Sequence, residues 1–340
     1  MRLFLYEACC AGALGRTPSS LRVEGWAMLC ALVADFERMP GIEVLTLLDG
    51  TCPQPLGRAS RRTHAATELC AFEALARAAD ATLVIAPESN GVLADRSRRV
   101  LQAGGKLFGA DPGAIDLTAD KWALAHHWKR AGIPTPAVFP AADAHLLPYA
   151  LYPLVCKPRH GAGSQATFLV SEPQHLDACL HQAGDEAPET EFVLQPFVHG
   201  SAASVTFLMG LGRAVPLVPA RQILSSDGRF HYVGGDLPLA GPLAARAVKL
   251  ATRAVQAVPG LAGFVGVDLV LGNAPAGGDF AIEINPRPTT SYVGLRRLAQ
   301  GNLAEAMLHV IEGRASAELT WHPGRVAFSA NGEYCFAEPS

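Results

Sequence analysis

The sequence has little charge and no concentration of one sign. Asp, Glu, Lys and Arg make up 17% of its 340 residues, and the net charge is −3. That leaves no electrostatic footprint for nucleic acid or an anionic membrane, so small molecules are the expected partners. No GxxxxGK[ST] phosphate loop occurs, and after the first apolar run only Gly12 and Gly15 stand where a GxGxxG fingerprint would. A nicotinamide-dependent oxidoreductase is thereby disfavoured. The eight cysteines include no CxxC pair and show no zinc-ligand spacing. They read as reduced thiols rather than a disulfide framework. The opening MRLFLYEACCAGALG is apolar but short and is interrupted by Glu7. It is too short for a membrane span or a secretory core, and a cytoplasmic location is expected. No internal repeat and no low-complexity tract is present.

Nearly half the chain is hydrophobic, which is globular composition with enough length for two or three lobes. Residues 1–115 alternate strand and helix signals: strands over 2–8, 42–48, 81–86 and 106–109, helices over 20–38, 67–79 and 95–103. This pattern predicts a small parallel sheet flanked by helices. From Thr118 the character changes. The pattern predicts a helix over 118–131 with a threonine start, a hairpin of 152–157 and 166–170, and a helix over 174–183. Beyond residue 191 strands dominate (192–196, 204–209, 214–224, 263–271, 280–285, 326–329), with helices over 243–258 and 303–312.

The sharpest chemical signal is GFVGVDLVL (263–271) followed by FAIEINPRP (280–288). A strand has a side-chain period of two, so Glu283 and Asn285 share one face while Ile282 and Ile284 are expected in the core. The turn-rich stretch 272–278 suggests a hairpin bringing Asp268 opposite Glu283. Two carboxylates and an amide oxygen are hard ligands suited to Mg²⁺, with Mn²⁺ also acceptable. The alternative is a solvated sheet face. In LYPLVCKPRHGAGSQATFLV (151–170), Lys157 ends an apolar strand ahead of Gly161, Gly163 and Ser164. Such a loop either lets backbone N–H groups approach phosphate or is an ordinary glycine hairpin. Likewise VLQPFVHG (193–200) is either an adenine-binding hinge or a plain strand.

In this order the segments resemble the ATP-grasp superfamily: Asp120-Lys121 ahead of GIPTP, Lys157-Pro158 with its glycine loop, Gln195-Pro196-Phe197-Val198 with Gly200, then Asp268 and Glu283-Ile284-Asn285-Pro286-Arg287. The resemblance implies a Rossmann-like pre-ATP-grasp α/β domain over 1–115, a small α+β lid subdomain over 116–190, and a larger α+β body carrying the metal site over 191–340. It implies that Lys121 and Lys157 contact the ATP phosphates, with Lys157 also within reach of adenine. Gly161, Gly163 and Ser164 would close over the γ-phosphate, and Gln195 with the Phe197 and Val198 backbone would hold adenine. Asp268, Glu283 and Asn285 would bind Mg²⁺, and Arg287 would stabilise the transferred phosphoryl group. The acid often found after the hinge for ribose is missing from Ser201–Ser204. The implied activity is ATP-dependent joining of a carboxylate to an amine through an acyl-phosphate.

Within the superfamily, YEACCAG (6–12), APESNG (86–91) and PARQIL (219–224) are similar to ligases that join glutamate to tyramine for a one-carbon carrier of the methanofuran type. On that likeness Arg221, Arg287, Glu88 and Tyr292 are candidates for gripping substrate, and a homodimer is left open. Ligases with another amino-acid or purine-pathway substrate remain alternatives. So does a non-catalytic ATP-grasp module that only binds nucleotide.

Overall fold

A computed structural model describes residues 1–15, 19–53, 56–57, 59–273, 278–314 and 319–337. Residues 274–277, the centre of the expected 272–278 turn, lie outside the described residues. The chain opens on β1 (Arg2–Glu7), α1 (Ser19–Phe36), β2 (Glu43–Asp49), β3 (Ala59–Thr63), α2 (Glu68–Ala78), β4 (Ala81–Ile85) and α3 (Val92–Gln102). The four strands form one parallel sheet in the order β3-β2-β1-β4.

The fourth strand differs from expectation. It is ASRRT, whose exposed arginines hide it from a hydrophobic pattern; charge of this kind suits a sheet edge. The expected strand at 106–109 makes only a single bridge. Thr82 donates to the Lys106 carbonyl and accepts from the Phe108 amide, both at 2.8 Å, between glycines at 104, 105 and 109.

The expected 118–131 helix is two helices, α4 (Pro112–Ala119) and α5 (Lys121–Arg130). Asp120 breaks them with φ −90° and ψ 99°, and its carboxylate accepts from the Trp122 and Ala123 amides. A side chain that caps the next helix competes with continuing the previous one. Lys121 is thereby fixed in the first turn of α5. A cation is unfavourable at that end of a helix, and Asp120 offsets it.

Next come β5 (Phe139–Pro140), β6 (Leu154–Pro158), β7 (Phe168–Val170), α6 (Leu176–Glu186) and β8 (Phe192–Pro196). These strands make an antiparallel sheet in the order β5-β8-β6-β7 with a small core of its own.

The remainder builds an eight-stranded antiparallel sheet from β9 (Ser201–Gly210), β10 (Arg213–Pro216), β11 (Ala220–Leu224), β12 (Tyr232–Leu237), β13 (Gly263–Leu271), β14 (Phe280–Asn285), β15 (Arg325–Ser329) and β16 (Tyr334–Ala337). Its order is β14-β13-β9-β11-β12-β15-β16, with β10 pairing β9. The run expected as one strand over 214–224 is split into β10 and β11. Helices α7 (Pro242–Gln256), α8 (Ser291–Leu298) and α9 (Leu303–Ile311) pack against this sheet. Among the described residues no helix is long and apolar enough to cross a membrane.

Between β8 and β9 the chain turns tightly at Gly200, where a Cβ would lie 2.4 Å from the Leu271 carbonyl oxygen. Backbone cannot yield as a flexible side chain can. Gly200→Ala is therefore expected to destabilise the fold by about 1–3 kcal/mol, read as a lowered urea midpoint at unchanged m-value.

Candidate active site

A cleft of about 270 Å³ opens between the small sheet and the large one. Its floor is set by register. Asp268 lies opposite Glu283 and Gly266 opposite Asn285 across β13 and β14, while Ser204 of β9 flanks Asp268 on the other side. The expected hairpin pairing is therefore present. Asn285 donates from Nδ2 to Asp268 Oδ2 at 3.0 Å, and Gln222 from Nε2 to Asp268 Oδ1 at 2.8 Å.

One sequence expectation fails here. The register shifts between Asp268 and Leu269, so Ile282 occupies the extra position of a bulge. Ile284 is buried in the core as expected, but Ile282 turns to line the cleft beside Glu283. Strict alternation could not show this, because a single inserted residue reverses the face of what precedes it.

The opposite wall carries the lysines. Lys157 is 7% exposed and donates from Nζ to Gln195 Oε1 at 2.8 Å, the two side chains sharing a face of β6 and β8. Lys121 Nζ donates to the Gly161 carbonyl at 2.8 Å and lies 3.7 Å from Glu283 Oε2. Burial pushes the Lys157 ammonium down to about 8, with Lys121 adding to the effect and Glu283 and Asp268 opposing it. Burial also pushes the Asp268 carboxyl well up, and the neighbouring Glu283 adds to that. Burial would raise Glu283 too, but Lys121 and Lys157 outweigh it and hold Glu283 below its ordinary value.

A lysine depressed in this way stays deprotonated in the fold while the unfolded chain still holds its proton. Between pH about 8 and the ordinary lysine value near 10.4, this group's contribution to stability therefore increases as pH rises. A triphosphate beside Lys157 would restore the proton. ATP binding at pH 8 is expected to take up roughly half a proton, measured calorimetrically in buffers of different ionisation enthalpy, and Lys157→Met should abolish that uptake.

The loop after β6 closes the cleft from above, with Gly161, Gly163 and Ser164 all lining it. Gly163 has φ +66°, and a Cβ there would lie 2.9 Å from Leu21 Cδ2, so the loop rests against α1. Ser164, itself at φ 56°, donates from Oγ to the Phe230 carbonyl at 2.7 Å. Phe230 also has positive φ, lines the cleft and stacks on Phe197 with ring centroids 5.9 Å apart. Residues held this way cluster where function fixes geometry.

At the hinge, the Phe197 amide already donates to the Pro153 carbonyl at 2.9 Å. Val198 lines the cleft, and its amide has no backbone acceptor among the described residues. Ala202 and Ser204 face the cleft from the stretch lacking an acid.

Arg287 lines the cleft, and its Nη2 donates to Glu88 Oε2 at 2.9 Å. Arg287 Nε and Glu88 Oε1 are buried with no hydrogen-bond partner among the described residues. Arg221 and Tyr292 are placed elsewhere. Arg221 is half exposed and pairs with Asp236 at 2.5 Å, while Tyr292 is fully buried and donates to Asp35 Oδ2 at 2.7 Å. Adjacent strand residues point to opposite faces, so it is Gln222 and Leu224, not Arg221, that reach the cleft from PARQIL. Gln222, Phe230 and Tyr232 went unnoticed in the sequence; the double glycine of β12 beside Tyr232 was its one cue.

Residues 118–291 match the ATP-grasp domain family and residues 42–115 match the pre-ATP-grasp 3 domain. The chain belongs to the ATP-grasp family. It is 27% identical over 252 residues to the tyramine–L-glutamate ligase of Methanocaldococcus fervens, an alignment spanning 74% of this chain and 72% of that one. A crystal structure of an ATP-grasp superfamily protein from Archaeoglobus fulgidus superposes with TM-score 0.71 at 25% identity, covering 97% of this chain and 92% of that one. Biotin carboxylase of Campylobacter jejuni in its β,γ-ATP complex gives TM-score 0.75 at 17% identity, over 95% and 74% of the two chains. With these relatives and this cleft, the chain is an ATP-dependent carboxylate–amine ligase that forms a C–N bond.

Proposed function

We propose that this ligase joins the γ-carboxylate of glutamate to the amine of tyramine or a tyrosine-like compound, in the making of a methanofuran-type carrier. The observation that carries the chemistry is the convergence of Lys121, Lys157, Asp268 and Glu283 on one cleft with Arg287 at its end. The substrate pair is supported by the similarity to the tyramine–L-glutamate ligase.

In this reading Lys121 and Lys157 hold the phosphates, and Gly161–Ser164 lie over the terminal one. Gln195 and the Val198 amide meet the adenine. Asp268, Glu283 and Asn285 hold Mg²⁺. The donor set fits that ion: two carboxylates and an amide in one hydrogen-bonded cluster are hard oxygen ligands. Among the described residues no group of three or more His, Cys, Asp or Glu could hold a metal by itself, so phosphate oxygens and water would complete the shell. Bound there, the ion neutralises charge on the phosphates.

The substrate carboxylate attacks the γ-phosphorus and ADP leaves. The amine, in its uncharged form, then attacks the acyl carbon; the bond from that carbon to the phosphate oxygen breaks, the proton shed by nitrogen leaves with the phosphate, and the amide forms. Arg287 stabilises the transferred phosphoryl group and the carboxylate that receives it. The glycine loop shields the acyl-phosphate from water.

The test is a panel of carboxylate and amine pairs read by ADP release with Mg-ATP. Glutamate with tyramine or tyrosine should turn over fastest. Failure of both while another pair turns over removes the substrate assignment and leaves the ligase class standing.

A further inference from the structure

The parallel sheet has a topological switch point between β1 and β4. From β1 the chain runs outward through α1 to β2 and β3, then returns through α2 to β4 on the other side of β1. In open α/β sheets, ligands settle in the crevice beyond the carboxyl ends of the strands at such a point. A small chamber lies there, lined by Glu7 from the end of β1, Ile85 from the end of β4, and Leu21, Glu24 and Met28 from α1. Gly163 of the loop closes it, and Arg287 and Glu24 line both this chamber and the main cleft.

Resting on the ligase reading, we infer that this chamber seats the amine substrate: an organic primary ammonium with an apolar stem, its charge met by Glu24 and Glu7 and its stem by Leu21, Met28 and Ile85. Glu7 is only 2% exposed and accepts from the Cys10 amide at 2.7 Å. The helix above is shaped around it, since a Cβ at Gly25 would lie 2.5 Å from the Glu7 carboxyl carbon. Glycine inside a helix costs about 1 kcal/mol relative to alanine, so its presence at that position marks the buried acid as the feature being accommodated.

Charge balance gives the sign of the ligand. Two acids face one arginine, and that arginine already pairs with Glu88. Burial raises both Glu7 and Glu24 above their ordinary values, and a cation between them would relieve that cost. The same balance disfavours glutamate here. Its α-carboxylate needs a cation, and Arg287, the only Lys or Arg lining the chamber among the described residues, faces the reacting centre as well. Glu24 at the junction would place the nitrogen next to the acyl group that Arg287 holds.

The experiment is calorimetric titration of the full chain, loaded with Mg²⁺ and a non-hydrolysable ATP analogue, against tyramine, phenethylamine, 4-ethylphenol and glutamate. Both amines should bind, and 4-ethylphenol, which keeps the stem without the nitrogen, should bind at least tenfold more weakly. Glu24→Gln and Glu7→Gln should each weaken tyramine at least tenfold, with thermal unfolding as the check on folding. If Glu7→Gln does not fold, Glu24→Gln alone decides. The inference is overturned if neither amine binds, if amine and phenol bind alike, if Glu24→Gln leaves tyramine affinity unchanged, or if glutamate displaces tyramine. Tight amine binding with no glutamate–tyramine turnover would remove the substrate pair but keep the chamber. Turnover of that pair with tyramine affinity indifferent to Glu24 would do the reverse.

Discussion

Glu283→Gln is expected to lower ATP-dependent ADP release by on the order of 10³-fold while leaving the fold intact. The substitution keeps shape and one acceptor oxygen but removes the charge that faces Asp268 on one side and the two lysines on the other. For stability these effects oppose each other. Losing a carboxylate beside the half-buried Asp268 relieves repulsion, while Lys121 and Lys157 lose an attractive partner. The urea midpoint should therefore move by less than about 1 kcal/mol equivalent. For catalysis they do not cancel, because phosphoryl transfer depends on neutralising charge along the triphosphate. Steady-state turnover and equilibrium unfolding of the same preparation check both halves. Retained turnover would remove the metal assignment, and unfolding would show Glu283 to be structural instead.

Much of this site was readable because the informative residues lie close together along the chain. The pairing of Asp268 with Glu283 follows from two strands, a turn-rich link and a period of two. The lysine before a glycine loop is likewise local. What escaped reading depends on contacts distant in sequence or on a change of parity. The bulge at Asp268 that turns Ile282 outward leaves no mark in hydrophobic alternation. Gln222 and Arg221 are neighbours, and only the pairing of β11 with β9 and β12 fixes which one faces the cleft. Phe230 enters through a left-handed backbone that a phenylalanine rarely adopts.

The helical and strand layout shows the same division. The N-terminal alternation was legible except where charge masked β3 and glycines shortened the 106–109 segment. The break at Asp120 turned on a capping bond that competes with helix continuation, and it decides where Lys121 points. Helix α8 is hidden in the sequence because it starts only two residues after the Pro-Arg-Pro segment and its first turn carries polar and β-branched residues and a glycine. YEACCAG begins inside β1 and APESNG follows directly on β4, so both run out from the carboxyl ends of the sheet and carry walls of a chamber.

Arg287→Met is expected to damage both stability and turnover, and the two can be separated. The arginine and Glu88 are mutually buried, with side-chain exposures of 13% and 5%. Removing one partner of such a pair leaves an uncompensated charge and costs about 3–5 kcal/mol. Glu88 is poorly placed to absorb it, since its Oε1 already lacks a partner among the described residues. Replacing Glu88 as well, in the double variant Arg287→Met/Glu88→Gln, removes the stranded charge, and most of the lost stability should return. Turnover should not. If Arg287 stabilises the transferred phosphoryl group, both variants remain about 10²–10³-fold slower than wild type. A double variant that regained activity together with stability would show that Arg287 serves the fold alone, and that the chemistry at the end of the cleft belongs to other residues.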